Sequence, residues 1–186
     1  MFRQYSYGVI KMFVNQFAIS IFGVVLAMAT AAANNNGLTI FVSVFSILFY
    51  LFLIYTMTWE IGAKDRISVD CGKKKFAPLT GLVLSLFANI PNLLLAVLYT
   101  IAFPFMTTQQ WAGNLNASVN VISAFVEGMY RGLISCITLP GGQPLLYYWW
   151  TYFLIVVPAL AVATFAYLMG FKNFRFVAGA FDKKRK

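Results

Sequence analysis

The chain alternates long uncharged apolar runs with short polar connectors. About 20 apolar residues in a helix cross a hydrocarbon core of about 30 Å. Four runs reach that length: residues 13–33, 38–59, 79–103 and 149–171. No connector is both long enough and polar enough to form a separate soluble domain. The pattern therefore predicts one all-α membrane domain over residues 1–186, a polytopic integral membrane bundle with four transmembrane helices.

The first apolar run follows a short basic and aromatic segment, residues 1–12. A signal peptide would begin in the same way, but its apolar core is shorter than this run, so an uncleaved first span is favoured. Small residues recur in it at spacings of three and four: Ser20, Gly23, Ala27 and Ala31. Such a face allows two helices to approach closely, and the alternative is plain exposure to lipid.

The second run carries a weakly polar stripe made of Thr39, Ser43, Ser46 and Tyr50. This stripe indicates helix–helix packing rather than a solute path. The connector at 60–77 then holds three of the five acids, and the Glu60 and Lys64 pair predicts that the second helix extends by about one turn. Residues 67–72 suggest a small hairpin or a turn.

The third run contains Asn89-Ile90-Pro91-Asn92 near its middle. Proline removes a backbone donor and crowds the carbonyl four residues earlier, so this span is predicted to be kinked or broken near the midplane. The two amides are costly in hydrocarbon and should face other helices or a hydrated cavity. Pro158 lies near the centre of the last run, and paired interruptions are typical of midplane binding sites in transporters. These four residues, Asn89, Pro91, Asn92 and Pro158, form the predicted midplane site.

The segment 118–139 has two interpretations. Its length would span a bilayer, yet it carries Glu127 and Arg131 on a narrow polar face opposite an apolar one. We interpret it as an amphipathic or re-entrant helix on the outer side, with Glu127 and Arg131 at the outer mouth of a path. The alternative is a fifth span in which these two charges neutralise each other inside the bundle.

The distribution of positive charge favours the first interpretation. Lys and Arg number fourteen, and thirteen of them share one side of the membrane if 118–139 does not cross. Cytoplasmic loops carry this excess, so the connector 60–77, the tail 172–186 and both termini are predicted to be cytoplasmic. Residues expected to contact anionic lipid headgroups are Lys73, Lys74, Lys75, Lys183, Lys184, Arg185 and Lys186. The same clusters argue against a nucleic-acid partner because they flank apolar spans.

The last four residues match both a bacterial polybasic end and a eukaryotic dilysine retrieval signal. We favour a multi-pass protein of a bacterial inner membrane. The aromatic residues 147–150 form a belt that places the outer interface at the start of the last span.

Little in the composition supports catalysis. Histidine is absent, only five acids are present, and no serine-hydrolase or phosphate-loop motif occurs. Cys71 and Cys136 fall on opposite sides of the predicted membrane and form no metal or redox motif. The sequence therefore predicts a protein that is not an enzyme and has no cofactor and no metal site.

Two functions remain. The first is a non-catalytic membrane component that forms homo-oligomers or belongs to a larger membrane complex. The alternative is a channel or carrier subunit for a small solute or ion, with the midplane site at the proline-broken helices.

Overall fold

A computed structural model describes residues 2–33, 35–140 and 142–174. The protein is 82 % helical, and the described residues contain no strand. Seven α-helices follow one another in these ranges: α1 Phe2–Ala32, α2 Asn36–Asp70, α3 Thr80–Ala88, α4 Ile90–Ala102, α5 Gln110–Val126, α6 Gly128–Cys136 and α7 Thr151–Phe171. Short 3-10 helices cover Phe103–Phe105 and Leu145–Tyr147.

Three helices are long and apolar enough to cross a membrane, and a fourth candidate is bent. The three are Tyr5–Thr30 within α1, all of α2, and α7; α3 and α4 qualify only together, with a bend of 60° between them. Large apolar side chains such as Phe41, Leu48 and Met28 lie on the outside of the bundle, as expected for contact with lipid. The predicted all-helical fold with membrane-length apolar helices is confirmed, while the count of four spans remains a prediction.

The predicted interruption at Asn89 is confirmed. Helix α3 ends at Ala88, α4 begins at Ile90, and Pro91 lies in the first turn of α4. Proline is tolerated there because the first turn of a helix has no intrahelical partner for its N–H. Pro158 behaves differently from the expectation, because α7 is continuous through it from Thr151 to Phe171. Packing of neighbouring helices allows a membrane helix to accommodate a proline without breaking.

The connector after the second run is shorter than predicted. Helix α2 extends to Asp70, so the predicted hairpin at 67–72 is wrong and the one-turn extension is an underestimate. Nothing between Leu38 and Asp70 breaks a helix. Gly72, with φ of 71°, ends it, and its backbone N–H donates to the carbonyl of Val69 at 2.9 Å.

Three separated parts of the chain meet at one end of the bundle. The carboxylate of Asp65 accepts hydrogen bonds from Tyr5 of α1 and Tyr167 of α7, and Lys74 of the connector pairs with it. We call this the Asp65 end. Helices α2 and α7 both finish there and have the most extensive contact in the bundle, so they run in the same direction.

The opposite end is defined by Tyr99, Tyr147 and Tyr152, and we call it the Tyr147 end. The rings of Tyr99 and Tyr152 lie 4.6 Å apart, and the Tyr99 hydroxyl donates to the carbonyl of Tyr147 at 3.5 Å. At the other extreme, Gly81 of α3 packs on Ala163 of α7. The bent pair α3–α4 therefore runs from the Asp65 end to the Tyr147 end.

The segment 118–139 belongs to two helices, not one. Helix α5 follows the turn at Phe105, and the ring of Phe105 lies 6.3 Å from that of Trp111 in α5. The end of α6 is joined to the segment before α7, because the backbone N–H of Leu145 donates to the carbonyl of Ile137 at 2.8 Å. Both helices meet at Glu127, which has no helical conformation. The α5–α6 pair thus enters the bundle from the Tyr147 end and returns to it.

Candidate functional site

Polar side chains are buried where the two helix interruptions lie. The buried polar and tyrosine side chains around them are Gln16, Ser20, Tyr50, Ser85, Asn89, Asn92, Ser123, Glu127 and Tyr130. Burying polar groups inside an apolar bundle is costly unless they are hydrogen-bonded or serve a ligand. We call the set of Tyr50, Asn89, Asn92, Glu127 and Tyr130 the double-break site.

The first interruption leaves one amide oxygen without a partner. The Asn89 side-chain nitrogen donates to the carbonyl of Ser85 at 2.8 Å, which serves a backbone group at the end of α3. The Asn92 side-chain nitrogen donates to Oδ1 of Asn89 at 3.0 Å. Oδ1 of Asn92 is buried and has no hydrogen-bond partner. The break therefore holds its own backbone in place and still presents an acceptor to the interior.

The second interruption presents a carboxyl group. Glu127 is only 4 % exposed and lies in the turn between α5 and α6. Its backbone N–H donates to the carbonyl of Ser123 at 2.7 Å, whereas Oε1 of its side chain has no partner. Tyr130, one turn later, also has a buried hydroxyl without a partner.

Close packing against α1 holds this turn inside the bundle. A Cβ atom on Gly23 would lie 2.6 Å from Cα of Met129, and one on Gly128 would lie 2.6 Å from the carbonyl oxygen of Ser20. The Ser20 hydroxyl also accepts a hydrogen bond from the backbone N–H of Gly128. Ser20 and Gly23 thus form the close helix contact predicted from their spacing, within one chain. The side chain of Ala31 lies outside the described residues.

The polar stripe of α2 packs against the same pair of helices. Ser43, Ser46 and Tyr50 are buried, and Ser43 and Thr39 face Gly132 of α6, where a Cβ atom would collide with the Ser43 hydroxyl. The interpretation of this stripe as helix packing is confirmed for Thr39 and Ser43.

Tyr50 connects the two interruptions. Its side chain interacts with Asn89 at the first break and with Tyr130 and Glu127 at the second. Tyr50 lies fourteen residues after Asn36, the first residue of α2, which corresponds to about 21 Å along the helix. Residues far apart in the sequence therefore converge on one buried place between the two ends of the bundle.

Glu127 has no positive partner. Arg131 lies four residues later, but its Nη1 donates to the backbone carbonyl of Asn120 at 2.8 Å. The amide oxygen of Asn120 accepts from the Tyr152 hydroxyl at 2.9 Å. The neutralising ion pair considered for a fifth span is absent, because Arg131 is bound to α5 instead. Burial of the Glu127 carboxyl disfavours its charged form, because a charge is poorly stabilised away from water.

The predicted site residues are only partly brought together. Asn89, Pro91 and Asn92 lie at the first break, whereas Pro158 is half-buried in an unbroken helix. Sequence reasoning placed Glu127 at an outer mouth and did not include Tyr50, Tyr130 or Gln16. Gln16 and its unpartnered Nε2 are buried on α1, one turn before Ser20. The sequence signal for Gln16 is a polar residue inside the first apolar run.

The lysines predicted to bind lipid headgroups differ from one another. Lys74 is partly buried, and its ammonium lies 2.8 Å from Oδ1 of Asp65. Lys73 and Lys75 are exposed. The tail residues Lys183, Lys184, Arg185 and Lys186 lie outside the described residues. Cys71 and Cys136 are free.

A groove of about 230 Å³ between α1 and α2 lies at the Asp65 end. Lys11 and Lys64 line it, with Tyr7 and Glu60 beside them. Glu60 and Asp65 also line it, so two carboxylates balance the two cations, and Met57 supplies an apolar wall. Among the described residues, no three potential His, Cys, Asp or Glu ligands are grouped as a metal site would require.

Comparison of the chain with protein families, curated proteins and solved structures finds no match to any of them.

Proposed function

We propose that the protein is a carrier or channel subunit that moves a small polar solute or an ion across a membrane, with the double-break site on its path. The observation that supports this proposal is the convergence of two helix interruptions on Tyr50, with buried acceptors left unpartnered on Asn92, Glu127 and Tyr130. A purely structural interior would satisfy these groups with each other.

Helix interruptions have a specific meaning inside a bilayer. Backbone that leaves the helix loses internal hydrogen bonds, and it is tolerated at membrane depth only where protein covers it or where it lines a hydrated cavity. Discontinuous helices meeting in the interior are a recurring way of building transport sites. The break at Asn89 and the break at Glu127 fit this arrangement.

The membrane arrangement belongs to the proposal. Four spans would be formed by α1, α2, the bent pair α3–α4, and α7, with α5–α6 re-entering from the outer side. The Asp65 end would be cytoplasmic, because Lys73, Lys75 and Lys172 lie on the segments that meet there and positive charge is retained inside. The membrane would be a bacterial inner membrane, with anionic lipids binding at this end.

A non-catalytic subunit of a larger complex is the competing function. The small-residue face of α1 is part of the sequence support for this function. However, Ser20 and Gly23 on this face already pack against α6 of the same chain. Four spans rarely enclose a path alone, so the transport function itself requires a homo-oligomer or a partner membrane protein. We propose no cofactor and no enzymatic activity.

The test is flux through the purified protein in liposomes. Ion-sensitive dyes would follow sodium, potassium, chloride and protons, and light scattering would follow glycerol and urea. We expect flux of one of these probes, lost in the double variant Asn89→Leu/Asn92→Leu because the buried amides are removed. Asn114→Leu, which removes an exposed amide on α5, is the matched control and should retain flux.

Full flux in the double variant would remove the double-break site from the path. Absence of flux from the wild-type protein, together with co-purification of a membrane partner, would favour the subunit function.

A further inference from the structure

Glu127 differs from the other described acids. Glu60 is exposed, Asp65 pairs with Lys74 at 2.8 Å, and Asp70 lies 3.7 Å from Arg66 on the surface. Only Glu127, among the described acids, is buried away from any cation that could neutralise it. An acid in this situation is expected to be functional when it lies within a membrane bundle.

The groups facing Glu127 come from α1, α2, α6 and α7, and none of them carries a compensating charge. Tyr50 faces it from α2, Tyr130 from α6 and Tyr152 from α7. The side of α1 that contacts the turn presents the uncharged Ser20. Arg131 of α6, four residues later, interacts electrostatically with Tyr152 and donates its hydrogen bond to the backbone of α5.

We infer that Glu127 binds and releases one proton during transport, so that movement of the solute or ion is coupled to protons. This inference rests on the proposed function. In the binding step, a carboxylate oxygen takes one proton from the aqueous phase and forms an O–H bond. In the release step, that bond breaks and the proton returns to water, with no other group changed.

The geometry supplies a structural consequence for each step. Neutral Glu127 is compatible with the close contacts of the turn on α1, where Gly128 and Gly23 allow the backbones to touch. The ionised form would leave an uncompensated charge there, which is unfavourable unless water reaches it. Proton release therefore favours a state in which the α5–α6 turn is hydrated or displaced from Ser20, and proton binding favours the described state.

The test combines a direct readout of Glu127 with flux. Infrared difference spectra of the reconstituted protein, taken during a pH titration, would follow the C=O stretch of the protonated carboxyl group. We expect a band that disappears with a midpoint well above the value of about 4.3 for a free glutamate. The band should be absent in Glu127→Gln and retained in Glu60→Gln, the matched control on an exposed acid.

Flux should follow the same titration. In the wild-type protein we expect flux to fall about tenfold for each pH unit above the midpoint, because the protonated fraction falls by that factor. Flux in Glu127→Gln should not change with pH. Gln keeps the size of the neutral side chain, and a single symmetric gel-filtration peak would verify that the variant folds.

A midpoint near that of a free glutamate would overturn the inference whatever the flux. Flux that is independent of pH in the wild-type protein would overturn the coupling alone. A raised midpoint in a protein with no flux would instead overturn the proposed function, and the coupling with it.

Discussion

Lys74 and Asp65 form a partly buried ion pair, with Nζ 2.8 Å from Oδ1. The same carboxylate accepts hydrogen bonds from Tyr5 and Tyr167, and the Lys74 ammonium lies 2.6 Å from the Tyr5 hydroxyl oxygen. One side chain of α2 thus joins the first helix, the connector and the last helix.

Removing the positive partner should destabilise the protein. Lys74→Met leaves Asp65 buried with no cation, and breaking a buried pair in this way costs about 3 kcal/mol. Thermal or chemical unfolding in detergent would measure the loss. The neighbouring exposed Lys73→Met is the control and should change stability little. Equal stability of the two variants would contradict the proposed role of the pair.

Close contact between α2 and α7 depends on Gly62. A Cβ atom there would collide with the backbone carbonyl of Tyr167, so the helices would have to separate. We expect Gly62→Ala to destabilise the protein by about 2 kcal/mol. Gly113→Ala is the control, because the nearest atom to the new Cβ, the carbonyl oxygen of Met106, is 3.5 Å away. Alanine forms helices better than glycine, so this variant should stabilise the protein by up to about 1 kcal/mol. Unfolding in detergent would compare the two, and equal effects would contradict this packing.

The two prolines should differ in their effect on helix shape. Pro91→Ala allows α3 and α4 to join, and straightening the 60° bend would lengthen the distance between exposed positions 83 and 98 by about 3 Å. Spin labels at these positions would report the change. Pro158→Ala, in an already continuous helix, should leave that distance unchanged. A distance in Pro91→Ala identical to the wild type would show that packing alone maintains the bend.

Stability should depend on pH through Glu127. Burial of this carboxyl disfavours its charged form, so the folded state holds the proton more tightly than the unfolded chain. This contribution is complete below the unfolded value of about 4.3, decreases as pH rises, and is lost once the folded protein also releases the proton. The melting temperature of the wild-type protein in detergent should therefore decrease across that range. Glu127→Gln should lack this decrease, and a parallel decrease in both proteins would assign it to other groups.

The sidedness of the bundle can be measured by labelling single cysteines with a membrane-impermeant maleimide. In a Cys136→Ser background, Cys71 should react only from the cytoplasmic side. With Cys71 also replaced by Ser, Lys172→Cys should react only from the cytoplasmic side, because position 172 lies at the Asp65 end. In the same background, Gln109→Cys should react only from the outer side, because position 109 follows α4 at the Tyr147 end. Opposite sides for positions 71 and 172 would exclude the four-span arrangement.

Local signals were enough to predict the long apolar helices, although not the division of residues 118–139 between α5 and α6. Uncharged runs of membrane length located α1, α2 and α7, since the cost of exposing backbone in lipid leaves a helix as the stable choice. Proline at position 91, with an asparagine on each side of the Ile90-Pro91 pair, located the break between α3 and α4. The small residues Ser20 and Gly23 indicated a close contact, although their spacing could not identify α6 as the partner.

Tertiary structure decided the rest. Pro91 and Pro158 look alike in the sequence, yet only the first lies at a break, because neighbouring helices determine whether a freed carbonyl is satisfied. Glu127 and Arg131 have the spacing of an ion pair, but Arg131 is bound to Asn120 and Glu127 turns inward. Long-range packing, which no local pattern encodes, placed that carboxyl beside Tyr50 and created the double-break site.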